Sequence, residues 1–224
     1  MQLLKNINDL AYGNLDRESL EYLNKKSIFS NYTDMFMDTP YPNIQATEKD
    51  IQAIIDIQNE YIKRPNWNKY KKFIASCDSD IEKVLYTRLN EIGVPYTKKD
   101  AKDIEQVQED LGGMIMVLKK HYNRPRPFQV AYYTGQMLHP FTTISGNTPA
   151  YPSGHACQSR FLLKIVASKY PKFKKQIKKL ADDIAFTRIV MGVHYPRDNK
   201  FGFEIADKLA TMPSIRDKYF GGKK

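Results

Sequence analysis

The stretch YPSGHACQSRFLLKIVASKY, residues 151–170, changes character midway. Tyr151-Pro152-Ser153-Gly154 is turn chemistry, because proline fixes φ and glycine permits close backbone approach. From His155 onward the spacing of apolar residues predicts a helix. Ser153 is a good N-cap for it, which puts a histidine in the first helical turn. Two readings fit. Either Ser153-Gly154 only starts a helix, or the N–H groups of that helix start receive an anion beside a titratable group.

Working outward, the helical pattern recurs along the chain. Asp16 opens a short helix in DRESLEYLNKKS, and residues 28–46 lack a period and predict a packed loop. Thr47-Glu48-Lys49-Asp50 resembles a capping box ahead of IQAIIDIQNEYIKR, residues 51–64. Ser79 or Asp80 caps IEKVLYTRLNEIG, and Gly93 ends it. Asp100 begins a segment running to Lys120, interrupted only by Gly112-Gly113. Arg126-Pro127 starts another helix, residues 138–152 form a loop, and helices follow over 154–169, 172 to about 194, and Pro196 to about Met212. No strand alternation stands out. The expected fold class is all-α, a multi-helix bundle of roughly seven to ten helices.

The chain has 224 residues, 42% hydrophobic and 27% charged, which favours one globular domain over disorder. Within 1–224, residues 1–46 read as an N-terminal arm packing on the bundle, and 119–198 as the motif-bearing core. No apolar run approaches the ~20 residues needed to cross a bilayer. The N-terminus lacks the apolar segment of a secretory signal, so the expectation is a soluble, cytoplasmic protein, or a periplasmic or secreted one if the chain is already processed. Cys77 and Cys157 are too few for a disulfide scaffold, and Cys157 reads as a small packing residue. The net charge of +10 includes a lysine cluster in KYPKFKKQIKKL, residues 169–180, which reads as a solvated helix face or as an attractor of anions.

Three basic stretches point to one ligand. LKKHYNRPRPF, residues 118–128, crowds Lys119, Arg124 and Arg126 on a backbone stiffened by two prolines. YPSGH adds helix N–H groups and His155. TRIVMGVHYPRDN, residues 187–199, puts Arg188 on an apolar helical stretch, where a buried guanidinium needs an anionic partner. His194 follows near the helix end, and Pro196 starts a new helix with Asp198 in its first turn. Asp198 there would accept from one nitrogen of His194 and leave the other to attack. Cations and N–H donors around a phosphoryl group, with a nucleophile and an acid in line, are what phosphoryl transfer needs. No Cys/His/Asp cluster has metal-ligand spacing, so no metal is expected.

These stretches resemble the signature of the type 2 phosphatidic acid phosphatase (PAP2) superfamily, which includes bacterial class A acid phosphatases and vanadium haloperoxidases. K-x6-R-P matches Lys119 through Arg126-Pro127, and P-S-G-H matches Pro152 to His155. S-R-x5-H-x3-D matches Thr187-Arg188, His194 and Asp198, with Thr in place of Ser. The resemblance implies the all-α bundle of that superfamily and a phosphohistidine route. His194 would be the nucleophile, Asp198 its orienting carboxylate and His155 the general acid. Lys119, Arg126, Ser153, Gly154 and Arg188 would bind the phosphoryl oxygens. It further implies a metal-independent phosphomonoesterase acting on a small phosphorylated substrate without a cofactor, inhibited by vanadate. Similarity within the family is greatest to the acid phosphatases.

Two alternatives compete. A haloperoxidase would use vanadate as cofactor, ligated by His194. A non-enzymatic module would bind phosphate or nucleic acid through the lysine face, but no base-reading motif supports a stable nucleic-acid complex. The natural ester and the oligomeric state, a homo-oligomer included, are not legible. Among the aromatics Tyr132, Tyr133, Phe141 and Tyr151, core packing is the expectation for most.

Overall fold

The computed structural model describes residues 10–40, 44–79 and 81–221. These form α1 (Arg17–Leu23), α2 (Ile44–Ile62), α3 (Trp67–Ser79), α4 (Ile81–Glu91), α5 (Lys98–Tyr122), α6 (Pro127–Thr134), α7 (Gly154–Lys169), α8 (Lys174–Val190), α9 (Pro196–Leu209) and α10 (Pro213–Tyr219). Short 3-10 turns lie at 28–32, 34–36 and 171–173, and there is no strand among the described residues. The protein is all-α. Among the described residues no helix is long and apolar enough to cross a membrane.

Local signals explain most boundaries. Thr97 caps α5 in a reciprocal box: its Oγ1 accepts from the Asp100 N–H (3.1 Å), and the Asp100 carboxylate accepts from the Thr97 N–H (2.8 Å). Gly135 ends α6 at φ +67, a conformation in which a Cβ is disfavoured.

The core centres on α7, which packs against α8, α9 and α5. Leu111 and Leu118 of α5, Phe161 and Leu162 of α7, Ile184 of α8, and Ile205 and Leu209 of α9 are buried in one cluster. α5 runs unbroken through Gly112-Gly113 instead of being interrupted there. The glycines serve packing: a Cβ on Gly113 would lie 2.7 Å from the Lys25 carbonyl just after α1.

Several expectations are corrected. Thr47 and Asp50 do not cap a helix; α2 already begins at Ile44, so the 28–46 loop and the arm boundary at 46 both run into it. Residues 41–43 and the candidate cap Asp80 lie outside the described residues. Ser79 closes α3, its hydroxyl donating to the Ala75 carbonyl at 3.1 Å, and does not start α4. The helix expected to reach 194 ends at Val190. Tyr132 and Tyr133 are exposed, at 82% and 54%, while Tyr151 is buried. Within the lysine cluster, Lys169 pairs with Asp100, Lys178 with Asp182 and Lys179 with Asp183. Cys77 and Cys157 are buried free thiols whose acidity burial suppresses.

Candidate active site

Three helix junctions converge. At the first, Asn123 takes a left-handed conformation (φ +45) after α5, and Arg124-Pro125-Arg126 leads into α6. Lys119 sits in the last turn of α5 and is buried, its Nζ donating to the Pro149 carbonyl at 2.5 Å. Arg126 is buried as well. Its Nε donates to the Thr148 carbonyl (2.7 Å), and its Nη1 to the Val193 carbonyl (2.7 Å) and to His194 Nε2 (2.9 Å). Among the described residues neither Lys119 nor Arg126 has a carboxylate partner.

The second junction is the start of α7. Ser153 is its N-cap, with Oγ accepting from the Ala156 N–H at 3.4 Å, while the Ser153 N–H donates to the Asp198 carbonyl at 3.1 Å. Gly154 is the first helical residue, and a Cβ added to it would lie 3.9 Å from Lys119 Cε. His155 Nε2 lies 3.1 Å from the Cys77 carbonyl. A carbonyl only accepts, so Nε2 carries the proton there.

The third junction joins α8 to α9. Gly192, at φ +70, turns the chain, and the Val193 and His194 N–H groups close back on the Arg188 carbonyl. His194 Nδ1 is 3.0 Å from Asp198 Oδ2. Arginine only donates, so His194 Nε2 is the unprotonated nitrogen and Nδ1–H faces Asp198. Asp198 is the third residue of α9 and is fully buried; Oδ2 also accepts from the Tyr195 N–H (2.9 Å), and Oδ1 from Arg124 Nη1 (2.5 Å). The hydroxyl of Thr187, the residue that departs from the motif, turns into its own helix and donates to the Ile184 carbonyl at 2.6 Å.

Two residues of this constellation carried no role in the sequence reading. Asp78, at the end of α3, accepts from Arg188 Nη1 (2.8 Å), Ser145 Oγ (2.6 Å), Thr143 Oγ1 (2.8 Å) and the Ile144 N–H (2.9 Å). Residues 77 and 78 thus hold both His155 and Arg188. Arg124 is the other, noticed as basic but unassigned. A buried Arg188 needs an anionic partner, which was a signal that one exists, but nothing local singled out Asp78.

A cavity of about 290 Å3 lies among these groups. Lys119, Arg126, Gly154, His155 and His194 line it, together with Ser145, Thr148 and, from α1, Glu18, Ser19 and Tyr22. Arg188, Ser153 and Asp198 stand behind that lining. A larger groove, about 870 Å3, between the end of α7 and α10 contains none of them.

Burial, followed by the crowding of like charges, explains the electrostatics. Burial and then Arg126 hold the Lys119 amine well below the ordinary lysine range. Burial and then Arg188 bring Arg126 down to about 10. Burial, then Arg126 and Lys119, drives His194 well below the usual imidazole range, and burial, then Arg188, does so for His155. For Asp78 burial pushes up, but Arg188 and the hydrogen bonds win and hold it at about 2. Burial lifts Asp198 against the pull of Arg124 and the Tyr195 N–H. The arrangement is an electropositive pocket with a neutral imidazole oriented by a carboxylate, suited to an anion that meets a nucleophile.

Residues 111–210 match the family model described as the PAP2 superfamily, a span that contains all three basic stretches. A search of curated proteins returned no match.

Proposed function

From residues 111–210 as a PAP2 superfamily segment, with the phosphatase or haloperoxidase type of chemistry that this implies, we propose that the protein is a metal-independent phosphomonoesterase of the acid phosphatase kind. It hydrolyses small phosphate monoesters through a phosphohistidine. One observation carries this reading: Lys119 and Arg126 are buried cations with no carboxylate partner among the described residues, lining a cavity beside the unprotonated Nε2 of His194. An unpaired buried charge is costly, and a phosphoryl dianion answers both cations at once.

In the first step His194 Nε2 attacks phosphorus as Arg126 shifts from the nitrogen to a phosphoryl oxygen. The N–P bond forms and the P–O bond to the leaving group breaks. Asp198 accepts from Nδ1–H and stabilises the charge that develops on the ring. His155, with Nε2 engaged by Cys77, gives a proton from Nδ1 to the departing alkoxide. In the second step His155 Nδ1 takes a proton from water, whose oxygen attacks phosphorus and frees His194. Arg188, held by Asp78, and the N–H groups at the start of α7 complete the oxyanion environment.

His194→Ala is expected to abolish turnover of an aryl phosphate, and acid-labile phosphate is expected on the wild-type chain after rapid quench. Vanadate, which mimics five-coordinate phosphorus, should inhibit competitively. Full activity in a folded His194→Ala protein would remove His194 as nucleophile.

A further inference from the structure

The Asp198 carboxylate divides its two oxygens between two jobs. Oδ2 faces His194 Nδ1 and the Tyr195 N–H, and Oδ1 faces Arg124 Nη1 at 2.5 Å. Arg124 is itself buried, with its guanidinium 3.8 Å from the centre of the Tyr195 ring. Its second arm reaches α2: Nη2 donates to Thr47 Oγ1 at 3.2 Å and lies 3.8 Å from Asp50 Oδ2. Asp50 in turn accepts from the half-exposed Arg197 at 3.1 Å. Opposite charges therefore alternate from the surface inward: Arg197, Asp50, Arg124, Asp198, and then the imidazole.

We propose that Arg124 is a positioning residue for the nucleophile: anchored on Thr47 and Asp50 of α2, it keeps the Asp198 carboxylate charged and turned toward His194. The proposal rests on the reading of His194 as nucleophile. The planar fork is essential, because one arm must meet Asp198 while the other is held from α2; a lysine offers a single point of charge. Without Arg124, Oδ1 would be a buried acceptor with no cation, and the carboxyl would bind a proton at higher pH. A neutral carboxyl no longer stabilises the imidazolium that forms during attack. The other charged or titratable groups acting on Asp198 and His194 are Lys119 of α5, Arg126 at the start of α6, His155 of α7 and Arg188 of α8. None of these contacts Oδ1, so none replaces Arg124.

The test compares Arg124→Met, Arg124→Lys and Asp50→Asn with wild type. Two readouts are used: the Nδ1-bound proton of His194 by NMR of histidine-labelled protein, and kcat and KM for an aryl phosphate across pH. For Arg124→Met the Nδ1 proton should move upfield, kcat should fall about 10- to 100-fold with KM little changed, and the acid limb should move to higher pH. Arg124→Lys should restore the acid limb but not the full rate. Asp50→Asn should shift both readouts in the same direction by less. A folded Arg124→Met protein with wild-type resonance and acid limb overturns the proposal. Should that variant not fold, wild-type values in both Arg124→Lys and Asp50→Asn overturn it equally. If wild type turns over no phosphate ester, the functional reading falls, while the NMR readout still decides what Arg124 does to His194.

Discussion

His155 and His194 are depressed in basicity by the same surroundings, yet the proposed chemistry asks opposite things of them. His194 must be unprotonated to attack, and its lowered pKa keeps it so well into acid. His155 must carry a proton to the leaving group, and its lowered pKa means that the free enzyme supplies one only below the ordinary imidazole value of about 6.5. A bound phosphoryl dianion offsets Arg188 and raises His155 again. The expected outcome is a kcat/KM that rises only as pH falls below about 6.5 and a flattened profile in His155→Asn. A wild-type profile rising with pH would take His155 out of the acid role. The stability effect has its own sign. Unfolded imidazoles protonate first, so stability is present above about 6.5 and is lost as pH drops below it.

At the scale of elements, the site depends on how closely α9 lies on the first turn of α7. A Cβ on Gly202 would meet the Ser153 carbonyl at 2.7 Å and the Cys157 nitrogen at 3.0 Å, both backbone atoms that cannot step aside singly. Gly202→Ala is expected to cost about 1–3 kcal/mol, or roughly 2–4 °C of Tm per kcal/mol. It should also lower kcat disproportionately, because Ser153-Gly154 moves relative to His194. Gly135→Ala is the contrast. Nothing lies within 4 Å of its Cβ, so only the left-handed backbone resists, with a Tm loss and normal turnover. Equal kinetic loss in both variants would refute the α7–α9 argument. Elements were unequally legible. α7 and α9 announce themselves by a cap and an N1 proline. α3 was missed because KYKKFIASC mixes lysines with a weak apolar period, and the helix owes its stability to packing on α8. Thr47 and Asp50 imitate a capping box, yet they lie within the first two turns of α2 as contacts of Arg124, a distinction that local spacing does not carry.

For the molecule as a whole, four cations are buried among the described residues, Lys119, Arg124, Arg126 and Arg188; Arg124 meets Asp50 and Asp198, and Arg188 meets Asp78. The fold keeps a positive excess beside a cavity, which favours an anion over the free state. Inorganic phosphate in excess of its Kd should raise Tm; at 100-fold excess the gain is about 2.7 kcal/mol. Lys119→Met should abolish that rise. It should also stabilise the phosphate-free protein by about 0.5–2 kcal/mol, because a desolvated charge disappears. A phosphate-dependent rise that survives in Lys119→Met would place the anion elsewhere. Differential scanning calorimetry with and without phosphate reads both outcomes.

What the sequence by itself determined is the all-α class, a PAP2-superfamily match confined to residues 111–210, and the identity of the groups at the three junctions. Helix period, caps and prolines are local, and the spacings Lys119–Arg126, Ser153–His155 and Arg188–Asp198 are each confined to a single turn or junction. Only the tertiary structure decided what stands behind them: Asp78 on Arg188, the Cys77 carbonyl on His155, and Thr47 with Asp50 on Arg124. The reason is physical. A buried arginine dictates that a partner exist, but an acid on any neighbouring helix satisfies the same electrostatics. Which one does so depends on packing among helices more than a hundred residues apart in the chain, as Asp78 and Arg188 are. In the stretch YPSGH, the same turn that caps α7 also brings Gly154 and His155 to the cavity that Lys119 lines. Ser153-Gly154 is thus a helix start whose surroundings are set by α5 and α9, through Ile115 and Lys119 near Gly154 and through Gly202 against Ser153.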